Sequence, residues 1–189
     1  MESLAKIFGS PARLKALRLF IFNQETPLTV AEVAERTKLS RDAVRRETAD
    51  LLAAGFLRKK NGAAPARYVV NPRFEELEAL TAFVRETTSV RPERIVSMLR
   101  RAGSIRLIAL SGLFTGILEP QADLLIVGDN LNERALAAAV RSLEAELGRE
   151  IRYAFFATPD FRYRLGVYDR LLRDIFDYPH RLILDKIGV

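Results

Sequence analysis

The chain has 189 residues, of which 49% are apolar, 29% charged and 8% aromatic, so it holds enough apolar side chains to bury a core and does not read as disordered. With no cysteine and one histidine, His180, it excludes disulfides, thiol catalysis, thiolate metal sites and a histidine-based zinc centre. Its net charge of +6 is uneven: residues 1–73 carry 14 Lys+Arg against 7 Asp+Glu, a balance of +7, and residues 74–189 carry 16 against 17, a balance of −1.

A basic excess confined to the first third favours an anionic partner such as nucleic acid over a generally sticky surface. The longest uncharged run, Leu107 to Leu118, is too short to span a bilayer, and MESLAKIF carries no signal-peptide pattern. A cytoplasmic protein with no membrane segment is the expectation. At this length one large domain or two small ones fit.

In chain order, Ser10-Pro11 predicts a helix start, and ARLKALRLFIF puts Leu14, Leu17, Leu19, Ile21 and Phe22 on a broad buried face. Thr29 with Glu32 three residues on forms a capping box for a helix from about Val30 to Arg36. TKLS is a tight connection, Ser40 caps a second helix, and Gly55 ends it after Ala54, which together read as a helix-turn-helix. The strand-like pieces FLRKK and RYVV flank NGAAP, a β-wing ending near Asn71-Pro72. Residues 73–103 read as a helical linker, with Phe74, Leu77, Leu80, Ala82 and Val84 on one amphipathic helix and a second helix opened by Pro92. Beyond Gly103, IRLIALSGLF, ADLLIVG and REIRYAFFA read as strands, NERALAAAVRSLEAELG as a helix closed by Gly148, and TPDF as the capped start of a further helix, with helix continuing at least to Asp177. The expected class is α+β: domain 1–72, linker 73–103, and a second domain 104–189 with a mixed sheet.

Steps of 100° per residue put Val44, Thr48 and Leu51 inward on the second helix, with Leu52 at the edge, and turn Asp42, Arg46 and Ala49 outward with Arg45 beside them. Arg41, Arg45 and Arg46 near its N-terminal half suit the major groove, where arginine binds the guanine edge through two hydrogen bonds. Asp42 either accepts from a cytosine amino group or stabilises the helix start. On the wing, Arg58, Lys59, Lys60 and Arg67 suit phosphates or the minor groove. A solvated arginine face is common in any soluble protein; the specific signal is the conjunction of capping box, turn, basic helix and basic wing.

FGSPARLKALRLF, LTVAEVAERTKLSRDAVRRETADLLAAGFLRKK and RYVVNP, about residues 7 to 72, resemble the winged-helix transcriptional regulators of the ArsR-like group. The resemblance implies a homodimer on near-palindromic double-stranded DNA, with Ser40, Arg41, Arg45 and Arg46 at recognition-helix positions. The cysteines of the metal-sensing members are absent, so metal sensing does not carry over. The apolar face at Phe74, Leu77, Leu80 and Val84 exceeds what a linker needs and is expected to join a dimer interface, the alternative being that it packs on its own wing domain.

LSGLFTG, ADLLIVGDN and REIRYAFFATPDFRYRL resemble a small nucleotidyltransferase-like domain. Active members hold phosphates with a glycine-serine pair and magnesium with two aspartates two residues apart, joined by a third carboxylate. Here Gly112 is followed by Leu113, Gln121 precedes Asp123 where the first aspartate is expected, and Ile151 to Ala157 contains no carboxylate. Rescue by Glu119 or Asp129 does not reproduce the same-face spacing. His180, beside Pro179, reads as structural. What the resemblance leaves of a nucleotide pocket is Gly112 and Asp123, with Asp123 itself reading as a strand-end or turn residue rather than a lone metal ligand, and no metal, no cofactor and no catalytic residue expected. The resulting expectation is a DNA-binding regulator whose second domain is a pseudoenzyme serving dimerisation, a protein partner or a nucleotide effector. The alternatives are an active nucleotidyltransferase modifying RNA or protein, and a structural adaptor.

Overall fold

Short polar side chains start the helices of the first third, and the computed structural model shows each at work. It describes residues 2–62, 64–116 and 121–189. Two compact units are present, Met1–Ser89 with Ser142–Glu150, and Val90–Arg141 with Ile151–Val189.

The first unit runs α1 (Glu2–Ile7), α2 (Pro11–Phe22), β1 (Leu28–Thr29), α3 (Val30–Thr37), α4 (Arg41–Ala53), β2 (Leu57–Lys60), β3 (Arg67–Val70) and α5 (Leu77–Thr87). Ser10 caps α2 by accepting from the Arg13 amide at 2.9 Å. Both bonds of the Thr29/Glu32 capping box form, at 3.2 and 2.7 Å, so two of the orphan amides at the start of α3 are satisfied. Lys38 adopts the left-handed conformation (φ 55) that ends α3, and Ser40 accepts from the Ala43 amide at 3.2 Å to start α4. β2 and β3 pair antiparallel from Leu57 opposite Val70 to Lys60 opposite Arg67. The two-residue β1, which the sequence does not announce, adds to the other side of β3 and gives the order β1-β3-β2.

The core of this unit includes Leu17, Phe20, Ile21, Val33, Val44, Leu51 and Phe56, and each such burial stabilises by about 1.5–3 kcal/mol. Phe74, Leu77 and Leu80 pack against the same cluster and Val84 belongs to it. The face of α5 expected at a dimer interface is therefore partly covered by its own unit, with Val84 buried and Phe74, Leu77 and Leu80 half-buried. It follows the β3 strand closely enough in sequence to fold back on its own unit, with the Phe74 ring edge-on to Phe56 at 5.6 Å.

One polar cluster ties α2 to α4. Glu47 is buried on the inward side of α4, accepting from Ser10 Oγ at 2.7 Å and from Arg13 Nε at 2.8 Å, while Arg13 Nη2 also binds Asp50. Residues 142–150 belong to this unit through a second set of polar contacts: Arg18 Nη1 donates to the Glu146 carbonyl at 3.0 Å and Asn23 Nδ2 to that of Gly148 at 3.0 Å. Burial lowers the pKa of Arg18, against the opposing charge of Glu146. Gly148 has φ 77, and a Cβ there would stand 2.6 Å from the Arg18 backbone carbon, so only glycine fits.

The second unit begins with α6 (Pro92–Leu99) and a 3-10 turn at Arg100–Ala102, followed by β4 (Ser104–Leu110), β5 (Leu124–Asp129), α7 (Glu133–Leu147, whose residues from Ser142 onward count with the first unit), β6 (Tyr153–Phe156), α8 (Thr158–Gly166), α9 (Arg170–Phe176) and β7 (Arg181–Asp185). The sheet is mixed, in the order β6-β5-β4-β7, with β5 and β6 parallel and the other pairs antiparallel. A parallel pair needs a long crossover, which α7 supplies. Leu107, Ala109, Leu125 and Val127 share one face with Ala154 and Phe156, against Phe161, Leu172 and Ile175 of α8 and α9. Ile108, Leu110, Leu124 and Ile126 on the other face are equally buried, which is why these strands read as unbroken apolar runs.

The protein is thus α+β with a mixed four-stranded sheet. The segment 73–103 is divided, α5 packing in the first unit and α6 belonging to the second. Helix after Thr158 stops at Phe176 and gives way to β7, a fourth strand missing from the sequence reading. At α8 the cap is Ala157, without a side-chain bond, and Thr158 is already inside the helix.

Removing the Glu47 carboxylate leaves the buried end of the α2–α4 cluster without its acceptor. Glu47→Ala is expected to lower stability by about 1–3 kcal/mol in urea melts followed by circular dichroism. A change no larger than that of an exposed acid such as Glu35→Ala would show that the cluster contributes nothing.

Candidate functional site

The sequence-predicted residues of the first unit divide by what already holds them. Val44 is fully buried and Thr48 and Leu51 nearly so, and this inward stripe turns Arg41, Asp42, Arg45 and Arg46 to solvent, all exposed. Ser40 is exposed, with its hydroxyl engaged in the α4 cap. Arg45 Nη1 donates to Asp42 Oδ1 at 2.6 Å. Both side chains are mostly exposed, so the pair is weak and easily exchanged for a ligand contact. Among the described residues no carboxylate pairs with Arg41 or Arg46.

On the hairpin, Arg58, Lys59 and Lys60 are all exposed along β2. Arg67, expected beside them as a phosphate contact, is employed within the unit. Its guanidinium donates to the Pro27 carbonyl at 2.9 Å and pairs with Glu32 at 3.2 Å. The physical reason is its register: Arg67 lies opposite Thr29 on β1, which brings it to the Glu32 carboxylate of the α3 cap. The Thr29 backbone and hydroxyl bonds, with help from Arg67, hold Glu32 below the usual carboxylate range.

The second site centres on Asp123, buried at the start of β5. Its Oδ1 accepts from the Leu113 amide at 2.8 Å and its Oδ2 from the Arg152 amide at 2.9 Å, with Arg152 Nε at 3.6 Å. Ser111 closes the same knot, its amide donating to the Asp123 carbonyl and its hydroxyl to that of Ala122 at 2.7 Å. Gly112 turns into the left-handed region (φ 47) to bring the Leu113 amide to the carboxylate. Asp123 thus joins the end of β4, the start of β5 and the approach to β6. Gln121 is exposed in a bend two residues before it.

Asp129 stands at the opposite end of β5, about 20 Å from Asp123 at the rise of a strand. Its carboxyl is held below the usual range by Thr158 and by Arg106, whose Nε lies 3.2 Å away. That separation removes Asp129 as a substitute second ligand. Glu119, the other candidate, lies outside the described residues. Among the described residues no three His, Asp or Glu side chains converge to hold a metal. His180 places its ring edge-on to Phe176 at 5.3 Å, with Nδ1 2.9 Å from the Tyr178 carbonyl.

Glu47, Arg13 and Arg152 are the site-shaping residues that the sequence reading did not single out. Glu47 carried a signal, since it falls beside Val44 and Thr48 on the inward side of a helix, where an acid needs a buried partner. Arg152 carried none, because its backbone amide makes the key bond.

Compared with protein-family models, curated proteins and solved structures, the chain matches none. Among the described residues no helix is long and apolar enough to cross a membrane.

Two outcomes follow. Asp123→Asn keeps the shape but replaces one accepting oxygen by an N–H₂ facing a backbone N–H, and is expected to destabilise by about 1–3 kcal/mol in urea. A melt superimposable on wild type would remove the structural role. Because Glu32 titrates lower in the folded chain, its contribution is complete above the ordinary glutamate pKa of about 4.3 and is lost as pH falls through the lower folded value. Melting temperatures followed downward from pH 6 should fall less steeply for Glu32→Gln than for wild type, and parallel curves would contradict this.

Proposed function

We propose that the chain is a DNA-binding transcriptional regulator of the winged-helix type, resembling the ArsR-like group, which reads duplex DNA with α4 and steadies it with the β2–β3 wing. The single observation behind this reading is the outward face of α4: Arg41, Arg45 and Arg46 exposed on a helix whose other side is locked by Val44, Glu47, Thr48 and Leu51. Arginines on a rigid helix suit base edges, because a bidentate contact to guanine requires a fixed approach. Arg58, Lys59 and Lys60 suit phosphates, where charge matters more than geometry. Arg67 is left out of this set by its bond to Glu32.

A homodimer on a two-fold site belongs to the same proposal. The apolar face of α5 packs on its own unit, so its share in the dimer interface is the part left exposed beside Phe83. The second unit is nucleotidyltransferase-like in this reading and does no transfer: both Asp123 oxygens accept backbone N–H groups and Gln121 replaces the other acid, so two metals at the reacting oxygens have too few ligands. Its role is to bind a protein partner or a nucleotide effector, or to support dimerisation, in the cytoplasm.

Selection of binding sites from random duplexes tests the reading. Arg45→Ala with Arg46→Ala should weaken the selected site by about 1–3 kcal/mol for each base no longer bound and relax its sequence preference. Lys59→Ala with Lys60→Ala should weaken all duplexes alike, reducing the salt slope by about 0.9 for each phosphate no longer neutralised. An unchanged preference in the arginine variant, set against the surface control Arg141→Ala, would defeat the recognition-helix assignment. Magnesium-dependent labelling of RNA or protein from a nucleoside triphosphate, abolished by Asp123→Asn, would defeat the silent second unit.

A further inference from the structure

The basic excess is not confined to the first unit. Residues 91–106 carry Arg91, Arg94, Arg100, Arg101 and Arg106 against the single acid Glu93, a local balance of +4 inside a second part whose overall balance is −1. The fold explains how these charges reach solvent. Ile95, Leu99 and Ala102 form the inward stripe of α6 and its 3-10 extension, at 0%, 0% and 1% exposure. On one flank of that stripe, Arg91, Arg94 and Arg101 follow one another at helical spacing with half-buried Met98 between them, and Arg100 stands on the other flank.

Five arginines in one stretch have two explanations. The first is an ion-paired surface, as on α8 and α9, where Arg164, Arg170 and Arg173 pair with Asp160, Asp174 and Asp177 four residues away. Here Arg106 is paired across the strands with Asp129, and Arg94 is itself engaged within the fold. Among the described residues no carboxylate pairs with Arg91, Arg100 or Arg101. The other charges nearby are Glu93 on α6, Glu133 and Arg134 at the start of α7, and Asp185 and Lys186 on and after β7, which leave the surface positive.

The second explanation is a polyanionic partner. A protein partner asks for an apolar centre within the contact, and none of the large exposed apolar side chains lies between residues 90 and 106. From Arg91 to Arg101 the helical rise is about 15 Å, comparable to roughly four phosphates along one DNA strand.

We infer that the arginine flank of α6 and its 3-10 extension, Arg91, Arg94 and Arg101 with Arg100 beside them, is a second DNA-contacting surface that binds the phosphate backbone of duplex DNA without reading sequence. This rests on the proposed DNA-binding function and assigns the second unit a share of the affinity. The contact needs charge rather than a fork geometry, so lysine substitutes for arginine here but not on α4.

The test uses the full-length chain and a duplex of about 40 base pairs carrying the selected site, with binding followed by fluorescence anisotropy across a salt series. Arg91→Ala with Arg101→Ala should reduce the slope of log K against log salt by about 0.9 per phosphate, up to about 1.8, with sequence preference unchanged. Arg91→Lys with Arg101→Lys should restore the wild-type slope, and Arg141→Ala should leave it unaltered. All four side chains are exposed, and matching circular dichroism melts confirm that the variants fold. A wild-type slope in the double alanine variant overturns the inference while leaving the α4 reading intact. A reduced slope alongside an inert Arg45/Arg46 variant upholds the second surface and defeats the recognition helix instead. Altered sequence preference in the double alanine variant also overturns it, since the surface would then be reading bases.

Discussion

The rotational setting of α4 is the constraint on which its exposed arginine face depends. A helix with 100° between residues exposes or hides Arg45 and Arg46 according to which neighbours are held inward. Apolar burial of Val44 and Leu51 restricts that setting only loosely, because Leu52 at the edge would accept a modest rotation. Glu47 does not, since a carboxylate rotated away from Ser10 and Arg13 would lose charge-assisted bonds at 2.7 and 2.8 Å while still partly buried. Arg13 continues to Asp50 one turn on, so the clamp grips α4 along its length. The polar knot therefore does for direction what the apolar core does for stability.

Asp123 shows the opposite use of an acid. In a strand pattern it looks like the survivor of a metal site, and its burial makes that more tempting. Burial of a carboxylate is tolerated when hydrogen-bond donors replace its water, and Leu113 and Arg152 supply two backbone amides. A carboxylate held in this way has a structural task whatever else it does. The Gly112 turn delivers one of those donors, the Leu113 amide, so glycine and aspartate, which sequence joins as a nucleotide pocket, are linked in the fold through Leu113.

Helices that begin with capping chemistry were legible residue by residue: Ser10, the Thr29/Glu32 pair and Ser40 all make the bonds their positions imply. So were the apolar strands β4 and β5, whose burial on both faces leaves no other reading. What escaped depends on distant partners. β1 is two residues long and exists only because β3 offers an edge. The pairing of Arg67 was not legible because alternation gives its face but not its neighbour, and the neighbour is Glu32. The apolar side of α5 was visible, yet periodicity does not say whether a stripe meets another chain or its own core. Residues 142–150 are the largest case, since nothing local in SLEAELGRE points to Arg18 and Asn23 more than a hundred positions earlier.

Net charge becomes informative only when cut at the scale on which charges pair. From residue 107 onward ten cations face twelve acids, and on α8 and α9 arginines and aspartates alternate at a four-residue spacing that neutralises them within the helix. Residues 74–90 hold one arginine and four glutamates, and 91–106 reverse this to five against one. An excess in which Arg91, Arg100 and Arg101 find no carboxylate among the described residues is a different physical object from a solvated face with mixed signs. It raises the local potential, attracts counterions, and costs self-repulsion that an anionic partner would relieve. By that criterion Arg41 and Arg46 on α4, the basic edge of β2, and the arginines of α6 belong together, although the chain folds them into two separate units.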